Sequence, residues 1–305
     1  MTEFLKINTL TEMFRILEMP PPKHPLIAII DYSKTPFNTA IPLFKVVCDF
    51  YQISMKGDKN GFIKYGRETY DYQEGSLIYI GPEQIVDYSF EESEGVTSGW
   101  SLFFHADLIR TFSLQKKMKE YGFFNYQSCE ALHISEKEKV VVESIIYKIE
   151  IELDSNLDDF SEELIVSNIE LLLNYSKRFY NRQFITRKRF SRNTITQFTD
   201  LLEEYFEKGL QEKSGIPTVQ YFADKLSFSP NYLSDLVRKG TDKSILEHIH
   251  YHIIELAKNK LLNSNSRVSE VAFDLGFEYP QYFSRLFKKK VGMSPKEYIE
   301  SSTLN

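Results

Sequence analysis

The sequence predicts an α+β chain of two domains, an antiparallel β jelly roll with an appended helical pair followed by an all-α domain. Three observations carry this. Short β-rich runs separated by turn clusters fill residues 20–105, apolar stripes at helical spacing begin near residue 135, and the last third repeats itself with a period near fifty residues. With 305 residues, 42% hydrophobic and 26% charged, the chain has the length of two ordinary globular domains and a composition that excludes global disorder. Apolar runs such as Leu26–Ile30 and Val140–Val142 are far too short to cross a bilayer, so no membrane association is expected. Met1–Met13 carries Glu3 and Glu12 and lacks the apolar core of a secretory signal. Cys48 and Cys129 are the only cysteines, too few for a disulfide framework, and the expectation is a cytoplasmic protein.

The first domain is placed at residues 1–181. Its strands are expected at Leu26–Ile30, Phe44–Asp49, Tyr51–Met55, Phe62–Tyr65, Glu68–Tyr72, Ser76–Ile80, Gln84–Tyr88 and Thr97–Phe104. Glycine-bearing turns such as Lys59-Asn60-Gly61, Tyr65-Gly66-Arg67, Glu74-Gly75 and Gly81-Pro82 punctuate them, and strands at this spacing suit a sandwich or jelly roll. The aromatics Tyr65, Tyr70, Tyr72, Tyr79 and Trp100 are candidates to line a pocket for a small organic ligand. Two amphipathic helices follow, at residues 135–153 and 160–181. The first carries Val140, Val141, Ile145, Ile149 and Leu153. The second carries Leu164, Ile165, Ile169, Leu171, Leu172 and Tyr175, with Asn168 inside the apolar stripe, where a polar residue can set register in a dimer.

Charge is unevenly distributed. The net charge of −6 divides into −12 over residues 1–176, +7 over 177–193 and −1 over 194–305. Residues 182–193 are expected to be a basic linker, with Arg187, Lys188 and Arg189 available to follow a phosphate backbone if a nucleic-acid module comes next.

One does, at residues 194–305. Residues 230–249 laid over 280–299 agree at Pro230/Pro280, Tyr232/Tyr282, Ser234/Ser284, Leu236/Leu286, Lys239/Lys289, Ser244/Ser294, Glu247/Glu297 and Ile249/Ile299. Upstream the register slips by one, with Ala223 on Ala272 and Phe228 on Phe277, so the second copy has a turn one residue longer. Each copy reads as helix, tight turn, helix. In the second, Val268, Val271, Ala272 and Leu275 form an apolar stripe, Gly276 ends the helix and Pro280 starts the next. The units span about 218–239 and 267–290, and this is the spacing of a helix-turn-helix whose second helix enters the major groove. Between them Ser244–Leu262 reads as a rod of about 30 Å, close to the roughly 34 Å turn of B-DNA.

The open face of the second copy suits base readout. Arg285 can make a bidentate contact to guanine and Gln281 can address adenine, while Lys288, Lys289 and Lys290 are placed for phosphates. In the first copy Arg238 and Lys239 take the phosphate positions.

The block Val271-Ala272-Phe273-Asp274-Leu275-Gly276-Phe277, Tyr282-Phe283-Ser284-Arg285-Leu286-Phe287-Lys288-Lys289 and Val291-Gly292-Met293-Ser294-Pro295-Lys296-Glu297-Tyr298 resembles the signature of the AraC/XylS family of transcription regulators. The resemblance implies a double helix-turn-helix that binds double-stranded DNA. It implies base contacts by Asn231, Ser234 and Asp235 in the first copy and by Gln281, Ser284 and Arg285 in the second. The first copy departs from the family pattern at Asp235, Val237 and Asp242, where a basic residue or long amide, a phenylalanine and a glycine are usual. An acidic side chain accepts from cytosine but repels phosphate, which weakens the case for first-copy contacts. Glu74–Pro82 is similar to the strand-and-turn motif of cupins, matching the cupin-like sensor domain of many such regulators. The family further implies RNA polymerase as a partner, a possible small-molecule effector, and a homodimer held by the helical pair.

The alternative is a cupin-type metal-dependent enzyme with an accessory helical domain. Such sites need converging histidines, yet His24, His105 and His133 are widely spaced. Neither a metal, a cofactor nor catalytic residues are therefore expected.

Overall fold

The computed structural model describes residues 4–34, 45–56, 62–65, 68–71, 75–87, 98–126, 130–155, 158, 160–186, 188–263 and 267–302. The chain forms two units, Met1–Gln183 and Phe184–Asn305.

The first unit begins with β1 (Phe4–Ile7) and α1 (Leu10–Ile16), then β2 (Ile27–Asp31), β3 (Lys45–Cys48), β4 (Phe50–Lys56), β5 (Phe62–Tyr65), β6 (Glu68–Asp71), β7 (Ser76–Ile80), β8 (Ile85–Asp87) and β9 (Gly99–His105). A short helix α2 (Leu114–Lys117) and β10 (Leu132–His133) lead to α3 (Glu136–Asp154) and α4 (Ser161–Thr186). The strands make two five-stranded sheets, in the orders β1-β3-β8-β5-β6 and β10-β7-β4-β9-β2. Each predicted run coincides with a strand to within a few residues. The expectation of purely antiparallel pairing needs correcting, because β1 pairs in parallel with β3, Phe4 opposite Lys45 through Ile7 opposite Cys48. Parallel strands need a long crossover, and here α1 and β2 lie in between. Thr9 caps α1 by accepting from the Glu12 backbone N–H at 3.2 Å, and Leu10, Met13 and Phe14 turn inward at helical spacing.

The second sheet is buried on both faces. Alternation along the strands sends Ala28, Ile30, Phe50 and Phe103 into a core with Ile7, Leu10, Met13, Phe14 and Val46. That face also carries a polar row in which the Tyr32 and Ser101 hydroxyls lie 2.6 Å apart, Ser101 and Ser54 2.6 Å apart, and Gln52 donates to Ser54 at 2.8 Å. Burial without such partners would be costly. The opposite face takes Ile53, Leu102, Tyr79 and Trp100, all buried. Tyr79 packs on Phe123 at 4.5 Å, and its hydroxyl donates to Ser176 on α4 at 2.7 Å. Burial pushes the Tyr79 phenol far above its ordinary range. Tyr79 and Trp100 are thus both buried on this face, with Tyr79 against α4. The side chains of Tyr65 and Tyr70 and all of Tyr72 lie outside the described residues.

The helical pair forms where expected, with different faces. Ser135 and Glu138 close a capping box at the start of α3. Val142, Ile145, Ile146, Ile149 and Leu153 on α3 and Ile165, Val166, Ile169, Leu172 and Leu173 on α4 are buried. Val140, Tyr147 and Ile151 on α3 and Leu164 and Leu171 on α4 stay exposed, joined by Phe160 just ahead of α4.

The expected linker is helical instead. α4 runs on to Thr186 and α5 begins at Lys188, and residues 177–193 contain no glycine or proline to interrupt a helix.

The second unit continues with α5 (Lys188–Glu207), α6 (Gln211–Ser214), α7 (Val219–Leu226), α8 (Pro230–Thr241), α9 (Ile245–Asn263), α10 (Val268–Asp274), α11 (Pro280–Val291) and α12 (Pro295–Ser302). One core joins them, with Phe198, Phe222, Leu233, Val237, Ile249, Ile253, Ala272, Leu275, Phe283 and Phe287 at its centre. Among the described residues no helix is long and apolar enough to cross a membrane.

Candidate nucleic-acid interface

The two repeats are built by matching backbone devices. Thr218 caps α7 through the Tyr221 N–H. The helix ends on Ser227 in the left-handed region at φ 58°, and the Phe228 N–H returns to the Ala223 carbonyl at 2.9 Å. In the second copy Gly276 takes the same place at φ 88°, and Phe277 returns to Ala272 at 3.0 Å. Pro230 and Pro280 then open α8 and α11 at the first helical position, where a missing N–H costs nothing. Both helices end on a left-handed residue, Asp242 at φ 57° and Gly292 at φ 91°. Ser244–Glu247 and Ser294–Glu297 close capping boxes on the helices that follow. The backbone bonds that Glu247 and Glu297 accept hold both carboxyls below the usual carboxylate range.

Leu233, Leu236 and Val237 anchor α8, and Phe283 and Phe287 anchor α11. The opposite sides face solvent. On α11, Gln281, Arg285, Lys288, Lys289 and Lys290 are exposed, and on α8, Asn231, Arg238 and Lys239. The basic groups of each last turn lie where the helix dipole favours them and where phosphates can reach them. The predicted serines are placed differently. Ser234 and Ser284 are only partly exposed, and their hydroxyls donate back to Pro230 at 2.7 Å and Pro280 at 3.1 Å. Asp235 is also partly covered. Arg187 and the side chains of Lys188 and Arg189 lie outside the described residues.

One exposed residue was not singled out from the sequence. Tyr282 is 53% exposed on the first turn of α11, with the Arg285 guanidinium 6.0 Å from its ring centre. Its counterpart Tyr232 is 3% exposed, packed against Phe184 at 5.1 Å and Phe228 at 5.4 Å. Identical letters in the repeat hid this difference.

Residues 222–301 match the profile of the helix-turn-helix domain family. The C-terminal unit contains a helix-turn-helix domain. The chain is 32% identical over 127 residues to an uncharacterized HTH-type transcriptional regulator, YijO, of Escherichia coli, covering 42% of each chain. It is 28% identical over 109 residues to the bifunctional transcriptional activator/DNA repair enzyme AdaA of Bacillus subtilis, 36% of this chain and 50% of that one. The match therefore spans half or less of these relatives' length. Regulatory protein SoxS of Salmonella typhimurium is 28% identical over 102 residues, 33% of this chain and 92% of that one. Among solved structures, the C-terminal domain of AraT, a response regulator from Geobacillus stearothermophilus, is 26% identical with a TM-score of 0.32, covering 35% of this chain and 84% of that one. The helix-turn-helix match runs from within α7 to within α12 of the C-terminal unit.

Proposed function

We propose that the chain is a sequence-specific regulator of transcription whose two helix-turn-helix units read successive major-groove segments of double-stranded DNA. The single observation that carries this is the duplicated helix with an exposed polar face and basic last turn, Gln281, Arg285 and Lys288–Lys290 in one copy and Asn231, Arg238 and Lys239 in the other. α9, 19 residues long, is a spacer of about 28 Å between them. Arg187, Lys188 and Arg189 extend the phosphate contacts. The first unit is read as a cupin-like jelly roll that senses a small effector. RNA polymerase is the partner that the resemblance to such regulators implies.

The same unit is read as the homodimer interface. Support comes from the apolar side chains left open on the helical pair: Val140 at 65% exposure, Tyr147 at 63%, Phe160 at 68% and Leu164 at 46%. Asn168 lies on this side of α4, its side-chain amide donating to the Leu164 carbonyl at 2.8 Å.

A repair activity like that named for the AdaA relative requires a reactive thiol. Burial, with a smaller contribution from Glu12, pushes the Cys48 thiol up to about 12, which disfavours the nucleophilic thiolate there, while Cys129 lies outside the described residues. Among the described residues no group of three or more His, Cys, Asp or Glu is placed to hold a metal ion.

The test is competition binding of the full chain to a duplex selected from a random pool. Arg285→Ala is expected to cost about 1–3 kcal/mol on that duplex and to relax preference at one base pair. Equal binding of selected and random duplexes by the unaltered chain would sink the assignment.

A further inference from the structure

The sequence places Tyr232 and Tyr282 at the same repeat position, and the fold gives them opposite environments. Tyr232 lies under Phe184 and Phe228. Tyr282 stands on the exposed side of α11, three residues before Arg285, so one turn of helix brings the two side chains together. The guanidinium lies 6.0 Å from the ring centre, within reach of the negative face of the π system. Behind it, Tyr279 meets Tyr282 edge-to-face at 5.7 Å and 88°. Tyr279 belongs to the longer turn of the second copy, where the first copy has only Ser229 between Phe228 and Pro230. In the first copy the matching tyrosine stacks on Phe228, and the residue matching Arg285 is Asp235.

We propose that Tyr282, braced by Tyr279, is a positioning residue for Arg285, holding its planar fork over the ring and directed off the helix for readout of a guanine. A long, exposed arginine loses rotamer freedom when it meets a base, and an aromatic shelf that restricts the side chain beforehand reduces that loss. The inference rests on the DNA-reading role of Arg285 stated above. It makes the second copy the more selective of the two and assigns that selectivity to three residues, Tyr279, Tyr282 and Arg285.

The test measures binding of full-length variants to the selected duplex and to duplexes altered at each base pair in turn. Tyr282→Ala is expected to weaken binding to the selected duplex about two- to fivefold, the size of an exposed cation–π contact, and only through the base pair that Arg285→Ala relaxes. Tyr282→Phe keeps the ring face and should bind like the unaltered chain. Tyr282→Leu keeps apolar bulk without the π face and should bind like Tyr282→Ala. The double variant Tyr282→Ala/Arg285→Ala should bind no more weakly than Arg285→Ala alone. Equal loss on every duplex, full additivity with Arg285→Ala, or a loss in Tyr282→Phe as large as in Tyr282→Ala would each overturn the proposal. Should Arg285→Ala itself lose affinity uniformly on all duplexes, the base-reading role of Arg285 fails first, a result separable from any failure of Tyr282.

Discussion

The two helix-turn-helix copies share eight identical residues over their aligned second halves, yet one is embedded and the other open. In the first copy Tyr232 is covered by Phe184 and Phe228, and Gly240 leaves room for Ile195 of α5, which a side chain there would meet. At the matching positions of the second copy, Tyr282 and Lys290 are exposed. The difference continues in the chemistry, with Asp235 against Arg285 and Asp242 against Gly292. The two copies keep the same backbone plan, while α5 and Phe184 at the end of α4 pack against the first.

The largest expected effect that would break or sharpen this comparison is on stability. Tyr232→Ala should cost about 3 kcal/mol, as loss of a buried aromatic does, whereas Tyr282→Ala should stay within about 0.5 kcal/mol. Chemical denaturation of both variants measures this, and equal costs would contradict the embedded-versus-open contrast.

The turns should differ next. Ser227 occupies the left-handed position of the first turn, but a Cβ on Gly276 would lie 3.0 Å from the Gly215 backbone and 3.1 Å from the Gln211 carbonyl. Gly276→Ser, which merely copies the first repeat, should therefore cost more than the roughly 1–2 kcal/mol of a left-handed backbone alone. A smaller loss would mean that α6 and Gly215 yield.

Smaller still is the exchange at the helix ends. Nothing lies within 4 Å of a Cβ built on Gly292, so Gly292→Ala should cost only backbone strain, about 1 kcal/mol. Asp242→Gly should gain up to about 0.5 kcal/mol, because aspartate tolerates this conformation better than most residues and glycine better still. Thermal melts of both variants give the two signs, and a gain from Gly292→Ala would refute the assignment.

The smallest effect is on pH dependence. His248 accompanies the first copy, its Nε2 2.9 Å from the Thr241 hydroxyl, and His250 lies among the charges of the second. Burial is the main cause that lowers the pKa of His248, His250 and His252, with Lys243 acting on the first, Lys290 and Lys289 on the second, and Glu203 and Glu207 partly opposing it for the third. A histidine held neutral by the fold takes up its proton more readily when the chain unfolds. Below about pH 6.5 the unfolded state then binds more protons, and stability falls as pH falls. The melting temperature should drop from about pH 7 to about pH 5.5, and replacing the three by Asn should flatten that slope. An unchanged slope would place the acid sensitivity elsewhere.

Much was legible from local pattern. Strand runs such as Ser76–Ile80 and Phe62–Tyr65 coincide with β7 and β5, because β-branched and aromatic residues bounded by glycine turns leave few alternatives. Parallel pairing of β1 with β3 was not legible, since no local periodicity encodes which distant strand is met. The helical stripes were found but their widths were misjudged. Val140 and Leu164 have the same apolar character as Ile145 and Ile165, and only what packs against each helix decides which are covered.

By itself the sequence determined the repeat, its caps, its turn of unequal length and the basic last turns, because these depend on backbone conformations that particular residues favour or forbid. Tertiary structure alone decided that Tyr79 and Trp100 are core, that Ser234 and Ser284 point back to their own helices, and that one of two identical tyrosines is buried while the other faces solvent. Burial is a property of what packs against a side chain, and neighbours distant along the chain, such as Phe184 beside Tyr232, leave no mark at the position they cover.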